Sequence, residues 1–224
     1  MPEDDGQRYA VLWSGGKDSC LALWRARQAG LRVTSLLNFI DEQSARVRFH
    51  AVRSSMIVRQ AHELQLELFQ VGTKPDRFAD SFQAALHALK DRGYAGVIAG
   101  DIHLEDVRQW NEERADAAGL QCIEPLWHDE GLNILRSLVD ARFRAVLTCC
   151  DDKWQSILWP GREIDSVFIA DVSKNSDFDV CGERGEYHSF VFDGPVFSNP
   201  VDWLKGEIRR SNGFSQIDLL SHYD

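Results

Sequence analysis

Six small and charged residues near the start of the chain have the composition of a phosphate-binding loop. They read SGGKDS, from Ser14 to Ser19. The apolar run before them predicts a strand, and the helical apolar stripe after them predicts a helix. A strand that turns into a helix at two glycines leaves backbone N–H groups at the positive end of the helix dipole. We therefore expect an anion site, to which Lys17 adds a point charge and both serines add hydroxyl donors.

Asp18 lies inside this run and has two interpretations that the sequence does not separate. Its carboxylate could cap the helix that follows, or it could hold Mg²⁺ on bound phosphates. The metal interpretation is favoured because concentrated phosphate charge needs a counter-cation. For the whole run, the alternative is a tight glycine turn without a ligand.

The spacing of the run excludes two common nucleotide loops. A GxxxxGK[ST] loop needs four residues between its first glycine and the Gly-Lys pair, and the run is not GxGxxG. It resembles instead the SGGxDS signature of the PP-loop ATP pyrophosphatases, in which the loop holds the β and γ phosphates as the leaving group. The resemblance implies that ATP is cleaved to AMP and pyrophosphate. In folds of this class the adenine lies against the end of the second strand, which points to Asn38 and Phe39.

A second motif and three earlier segments narrow the family. The late motif reads GERGEYH, from Gly182 to His188, and the earlier segments read FHAVRSSMIVRQAHEL, GDIHLEDVRQW and EPLW. Together with SGGKDS they resemble the diphthine–ammonia ligase family, whose members carry GENGE[FY]H[TS] late in the chain. The resemblance spans Tyr9 to about Phe197. It implies an AMP-forming ligase of diphthamide biosynthesis, which adenylates a carboxylate before ammonia displaces AMP.

The resemblance also assigns roles by position, with Lys17 and Asp18 among the catalytic residues. On ATP it places Ser14, Gly15, Gly16, Lys17, Asp18, Ser19, His50, Gly100 and Asp101. On the side of the acceptor substrate it places Gly182, Glu183, Gly185, Glu186 and His188. The base that takes a proton from ammonium could be Glu183, Glu186 or His188, and the sequence does not choose among them. The chain departs from the family at Val180 and Arg184, where the family often has Pro and Asn.

The family's acceptor, diphthine on elongation factor 2, carries a trimethylammonium group. Such a group suits an acidic pocket with aromatic faces, and Tyr187 or Trp127 would supply the cation–π wall. A free carboxylate metabolite is the alternative acceptor. The alternative for GERGEYH itself is an acidic loop that leads into a strand, with its glycines serving only as turn residues.

The front half of the chain alternates between strand and helix periods. The expected strands are Tyr9–Trp13, Arg32–Phe39, Glu67–Val71 and Gly96–Ala99. The expected helices include Ser54–Leu64, Glu105–Ala118 and one that has Asp76 as its N-cap. This alternation predicts an α/β, Rossmann-like fold with a parallel sheet and helices on both faces.

The texture changes after Asp101. A helix over Asn133–Arg142 and strands over Ala145–Cys149 and Ser189–Phe192 are expected there, within more irregular sequence. We therefore predict two domains: a PP-loop ATP-binding domain at residues 1–128 and a smaller α+β acceptor-substrate domain at 129–224.

Charge and composition exclude several classes of partner. The net charge is −10, and the residues from Asp101 onward hold 24 acidic and only 12 basic side chains. Such a surface repels a phosphate backbone, which makes a nucleic-acid partner unfavourable. The N-terminus lacks the features of a secretory signal and no apolar run reaches membrane-spanning length, so we expect a cytoplasmic protein with no membrane partner. The five cysteines fit reduced thiols.

Two other functions share the loop. A PP-loop tRNA-modifying enzyme would use the same ATP chemistry, but it usually brings catalytic cysteines or a basic RNA surface, and the sequence has neither. A non-catalytic ATP-binding sensor would hold ATP without releasing pyrophosphate. The sequence leaves the oligomeric state open.

Overall fold

The computed structural model describes residues 6–48, 50 and 52–221, and these fall into two compact units. The first unit is drawn from Met1–Ser14, Asp18–Ala45 and Leu66–His128, and the second from Gly15–Lys17, Arg46–Gln65 and Asp129–Asp224. The chain therefore contributes two short segments to the second unit before the long segment that begins at Asp129.

The strands and helices of the described residues are as follows. The strands are β1 (Arg8–Leu12), β2 (Val33–Asp41), β3 (Arg46–Val47), β4 (Glu67–Thr73), β5 (Tyr94–Ile98), β6 (Gln121–Ile123), β7 (Arg144–Asp151), β8 (Tyr187–Asp193), β9 (Leu204–Ser211) and β10 (Phe214–Leu220). The helices are α1 (Lys17–Gln28), α2 (Ser54–Leu64), α3 (Phe78–Asp91), α4 (Glu105–Ala117), α5 (Gly131–Asp140) and α6 (Ser166–Val172).

The first unit contains a parallel sheet whose strands run in the spatial order β4, β2, β1, β5, β6. Strand β1 is in the middle: Ala10 pairs with Ser35 of β2 on one side and with Val97 of β5 on the other. The chain therefore builds outward from β1 in opposite directions. A crevice opens at such a reversal, beyond the carboxyl ends of the strands. The glycine run, which we define as Gly15–Lys17, follows β1 along the chain.

Helices cover the sheet because its strands carry apolar residues on both faces, as parallel sheets require. Helix α3 places Phe82, Leu86 and Leu89 in one buried cluster with Ala10 of β1 and Val97 of β5. The predicted α/β fold with a mostly parallel sheet and flanking helices is confirmed.

The expected N-cap of α3 is wrong. Pro75 opens a short 3₁₀ turn, Pro75–Arg77, which takes up Asp76, and the α-helix begins only at Phe78. Arg77 occupies the N-cap position, and no side-chain hydrogen bond caps the helix there. A proline one residue earlier fixes the backbone for a tighter turn and so moves the start of the helix.

The second unit is built on an antiparallel sheet in the order β8, β7, β10, β9. Its strand β7 extends beyond the expected range and buries the Cys149 and Cys150 side chains as free thiols. In the part of the chain that the structure describes, no helix is long and apolar enough to cross a bilayer.

Asp218 ties β10 to the segment that precedes α2. Its carboxylate accepts hydrogen bonds from Arg53 Nε at 2.9 Å and Arg53 Nη2 at 2.7 Å, and from Arg46 Nη1 at 2.9 Å. The side chain is 9% exposed, so these bonds lie largely out of water. Hydrogen bonds from Arg53, joined by those from Arg46, lower the pKa of Asp218 to about 2 from its usual 3.8. A carboxyl group with a depressed pKa stabilises the fold only while it is ionised.

Replacing Asp218 by Asn should lower the free energy of unfolding by about 2 kcal/mol at pH 7, because three hydrogen bonds to a charged group are weakened. The loss should shrink as the pH falls from about 4 toward 2, where the wild-type carboxylate itself becomes protonated. Urea unfolding at several pH values measures it. Glu207→Gln on the neighbouring strand, where Glu207 pairs with the exposed Arg209, is the control. Equal losses for both variants would contradict the prediction.

Candidate active site

The end of β1 and the end of β2 are held together by the residue expected near the adenine. Asn38 is fully buried; its amide nitrogen donates to the Trp13 carbonyl at 2.8 Å, and its amide oxygen accepts from Gln70 at 3.0 Å. Its side chain is thus committed to the sheet, and only its backbone is left for a nucleotide. Phe39 is the second residue expected near the adenine. Its ring stacks on the Phe82 ring, and the two ring centroids are 5.2 Å apart.

Two carboxylates meet where α1 begins and β5 ends. Gly100 lies directly on the first turn of α1: a Cβ there would be 2.8 Å from the Asp18 carbonyl carbon. The neighbouring Asp101 accepts a hydrogen bond from Asn111 at 2.7 Å. Burial, together with the negative charge of Asp18, raises the pKa of Asp101. Ser14 and Ser19 lie beside them, with their hydroxyl oxygens 3.3 Å apart. All of these residues belong to the first unit.

The glycine run itself packs on β8 within the second unit. The Gly15 carbonyl accepts from the Val191 amide at 2.9 Å, and the Lys17 amide donates to Ser189 Oγ at 3.1 Å. Gly16 is pressed against the same strand, since a Cβ there would be 3.1 Å from the Ser189 carbonyl oxygen. One amide that we expected to face an anion is therefore satisfied by Ser189 in this structure.

The Lys17 side chain joins the two sequence motifs. It is only 4% exposed, its ammonium donates to the Cys181 carbonyl, and it lies 5.1 Å from the centre of the Tyr187 ring. Tyr187 is buried, and its hydroxyl donates to the Val180 carbonyl at 2.7 Å. The cation that this ring contacts here is thus the chain's own lysine, whereas the sequence suggested an acceptor group.

Two histidines stack beside this lysine. The His50 and His188 rings have centroids 4.5 Å apart. Burial first, and then the Lys17 charge, lowers the pKa of His188 to about 4, while burial and His188 hold the pKa of His50 well below its usual 6.5. Both imidazoles are therefore neutral at pH 7. A general base works best when its pKa is near the working pH, so His188 is poorly suited to take a proton from ammonium.

Glu186 is the carboxylate of the late motif that the fold buries. It is 7% exposed; Oε1 accepts from the Asp179 amide at 3.2 Å, and Oε2 has no hydrogen-bond partner among the described residues. Glu183 is half-buried in the turn before it. Gly182 and Gly185 have φ angles of +72° and +93°, which explains why this turn needs glycine. The motif therefore forms a tight turn with one carboxylate oxygen held out of water and open to a partner.

Trp127 lies in the first unit, where its ring already forms a cation–π contact with Arg108. The Arg108 guanidinium is 4.6 Å from the centre of its ring and also donates to Glu124 at 2.8 Å. Burial, and then the charge of Asp101, raises the pKa of Glu124 to about 7. The sequence analysis gave Glu124 no role of its own, although its position directly after β6 was a usable signal.

Sequence reasoning also missed two residues that contact the glycine run, Ser189 and Gln60. Ser189 directly follows GERGEYH. Gln60 is a polar residue on the buried face of α2, beside Ile57 and Ala61. A polar side chain in an otherwise apolar stripe was the signal for it. Within residues 6–48, 50 and 52–221, no three His, Cys, Asp or Glu side chains form a group that could hold a metal ion.

The sequence matches two family models along most of its length. The model of the diphthamide synthase N-terminal domain covers residues 7–122, and that of the diphthamide synthase C-terminal domain covers residues 130–221. The chain belongs to the diphthamide synthase family. The resemblance drawn from SGGKDS and GERGEYH is thereby confirmed.

Mammalian relatives of this family share low identity with the chain over nearly its whole length. The human protein named diphthine–ammonia ligase is 25% identical over 95% of this chain and 90% of its own length. The rat protein of the same name is 24% identical over 95% and 90%, and the bovine one is 25% identical over 87% and 82%.

Replacing Gly15 by Ala should destabilise the fold by about 3 kcal/mol, because the left-handed backbone is strained and the new methyl group collides with its neighbours. Gly15 has a φ of +82°, and its Cβ would be 2.6 Å from Ile57 Cδ1. Gly213→Ala is the matched control: its φ is +81° but nothing lies within 4 Å, so it should lose only about 1 kcal/mol. Urea unfolding compares the two, and similar losses would refute the role of the collision.

The His188 ring should titrate near pH 4 when followed by NMR, and Lys17→Met should raise this midpoint because it removes a nearby positive charge. A depressed histidine pKa stabilises the fold fully above pH 6.5 and loses that contribution as the pH falls toward 4. Lys205→Met, on the exposed strand β9, is the control and should leave the midpoint unchanged. A midpoint at 6.5 in the wild type would rule out the buried, neutral imidazole.

Proposed function

We propose that this protein is an ATP-dependent, AMP-forming ligase that adenylates a substrate carboxylate and transfers ammonia to it. One observation carries the proposal: Lys17 of SGGKDS contacts the Cys181 carbonyl and the Tyr187 ring of the late motif. The residue expected on ATP and the segment expected on the acceptor thus adjoin within one unit. Membership of a family whose relatives are named diphthine–ammonia ligase supports the same reaction.

The first step is adenylation of the carboxylate. A carboxylate oxygen attacks the α phosphorus of ATP, the bond to the β-phosphate oxygen breaks, and pyrophosphate leaves. Positioning and positive charge suffice for this step, because no covalent nucleophile is needed. Lys17 supplies charge after it leaves the Cys181 carbonyl for a phosphate. The proposed ATP contacts are Ser14, Gly15, Gly16, Lys17, Asp18, Ser19, the backbone of Asn38 and Phe39, His50, Gly100 and Asp101.

The Asp18 and Asp101 pair fits a magnesium ion bound jointly with phosphates. Mg²⁺ in nucleotide sites is commonly held by one or two carboxylates and by substrate oxygens, without a full protein cage. Gly100, the neighbour of Asp101, packs directly on the Asp18 backbone, and the negative charge of Asp18 contributes to the raised pKa of Asp101. When bound, the ion would neutralise phosphate charge. Asp18 and Asp101 would hold it.

The second step transfers ammonia to the adenylate. A base first takes one proton from ammonium; the nitrogen of the resulting ammonia attacks the acyl carbon, the bond to the AMP oxygen breaks and AMP leaves, and a second proton passes from the nitrogen to water to give the neutral amide. We propose Glu186 or Glu183 as this base, because Glu186 is buried beside the Lys17 contacts and is a carboxylate that can accept a proton directly. The unpartnered Oε2 of Glu186 offers a partly desolvated acceptor for an ammonium proton. The neutral His188 would remain on the acceptor side of the site, stacked on His50.

Diphthine on elongation factor 2 is the proposed acceptor, because the relatives are named for it. Gly182, Glu183, Gly185 and Glu186 would contact it. Tyr187 could form a cation–π wall only after Lys17 leaves its ring, and Trp127 only after Arg108 does. A carboxylate metabolite is the alternative. We also propose residues 1–128 as the ATP domain and 129–224 as the acceptor domain, a division near the limits of the two matched family models.

Four of the five cysteines argue against a PP-loop thiolation enzyme. Such chemistry needs a thiolate, yet burial raises the pKa of the Cys20, Cys149 and Cys150 thiols, and it raises that of Cys122 to about 12. A thiol held in its protonated form is a poor nucleophile. The sensor alternative differs in its products, since a sensor binds ATP without forming AMP.

Incubation with ATP, Mg²⁺, ammonium and diphthine-bearing elongation factor 2 should yield AMP, pyrophosphate and an amidated acceptor. Lys17→Ala should lower kcat/KM by about 100- to 1,000-fold because it removes charge stabilisation in the transition state, whereas Lys205→Ala should not. Formation of ADP and phosphate, or ATP binding without AMP under every condition, would refute the proposal. Pyrophosphate release that depends on tRNA would favour the alternative enzyme.

A further inference from the structure

Gln60 is a fully buried polar side chain that links two separate backbone segments. It lies on α2 and is 0% exposed. Its amide nitrogen donates one hydrogen bond to the Gly15 carbonyl at 3.0 Å and another to the Val191 carbonyl at 2.6 Å. One segment is the glycine run and the other is β8. Buried side-chain amides in folded proteins are in large majority hydrogen-bonded, as this one is.

The two segments that Gln60 links are also bonded to each other. The Val191 amide donates to the same Gly15 carbonyl at 2.9 Å, and the Lys17 amide donates to Ser189 Oγ at 3.1 Å. Gln60 therefore completes a small network in which the Gly15 carbonyl has two donors. Since β8 begins with Tyr187 and His188, this network sets how far Lys17 lies from the late motif.

The chemistry of the side chain matters at this position. Both partners are carbonyl oxygens, so the site needs two hydrogens from one group, which a carboxamide supplies. A carboxylate would instead present oxygens to both carbonyls, and leucine would leave the Val191 carbonyl without this donor in a dry site. A side chain of similar volume therefore cannot replace the Gln60 carboxamide unless it also donates two hydrogen bonds.

We propose that Gln60 is a positioning residue for nucleotide chemistry: it fastens the glycine run to β8 in the geometry that presents Lys17. The inference rests on the proposed function for its effect on ATP, but the fastening itself is independent of that function. Loosening the run lowers the fraction of molecules with a competent loop, and the apparent ATP affinity falls by the same factor.

The first test follows amide hydrogen exchange by NMR in the full chain. In Gln60→Leu the amides of Lys17 and Val191 should exchange roughly tenfold faster than in the wild type, since a lost hydrogen bond is of that order. Gln65→Leu is the matched control: Gln65 ends the same helix, is exposed, and donates to Ser198 Oγ at 3.0 Å. Unchanged exchange in Gln60→Leu would overturn the proposal.

The second test uses pH and the variant Gln60→Glu, which also serves if Gln60→Leu does not fold. A protonated carboxyl donates one hydrogen bond, whereas the ionised form repels both carbonyls. The ratio of kcat/KM for ATP, variant to wild type, should therefore rise roughly tenfold as the pH is lowered from 8.5 to 5.5. The same ratio for Gln65→Glu should stay flat. A flat ratio for a folded Gln60→Glu would contradict a positioning role.

Other titrating groups must not be mistaken for this effect. The side chains that carry them on the three elements are Lys17, Arg59, His62, Glu63, Tyr187, His188 and Asp193, with His50 against the glycine run. Their titration is present in the wild type and cancels in the ratio. If the wild type forms no AMP, the proposed reaction fails, yet hydrogen exchange still decides whether Gln60 fastens the loop.

Discussion

The buried ammonium of Lys17 is the constraint around which the candidate site is arranged. A charge removed from water must find partners or lose its proton. Lys17 finds a carbonyl at Cys181 and the face of Tyr187. Burial, and then the same charge, keeps the neighbouring imidazole of His188 neutral. The turn that presents the Cys181 carbonyl needs left-handed glycines at its next positions. The contacts of one lysine thus explain residue types in two motifs that lie more than 160 residues apart in the chain.

Much of the fold could be predicted because periodicity reports burial. Helix α2 begins and ends where its apolar spacing predicts, at Ser54 and Leu64. The missed elements lack such a pattern. Strand β9 is exposed along almost all of its length and reads LKGEIRRS, so no alternation marks it. Helix α6 spans only seven residues, and Asp165 caps it through the Phe168 amide at 2.8 Å. These elements are fixed by sheet pairing and capping, which depend on partners distant in sequence.

The motifs of the site could be predicted from the sequence, but the hydrogen bonds that hold them in place could not. SGGKDS and GERGEYH identify the family, and the structure brings Lys17 of one against Tyr187 of the other. The roles of the individual residues within them stay predictions. The sequence could not show that the Asn38 amide is used inside the sheet, nor that Ser189 takes the Lys17 amide. Such contacts arise from tertiary packing, which no local pattern encodes.

The second unit includes two segments from early in the sequence, and this limits where the protein can be cut into separate fragments. A fragment that starts at Asp129 would contain Asp218 but neither Arg46 nor Arg53, so a carboxylate built into an arginine clamp would have to find water or other cations. It would also lack α2, which carries the amide that bonds to Val191. Gene fusions and split-protein reporters would therefore have to keep residues 46–65 with the C-terminal sheet, even though these residues lie far upstream of it.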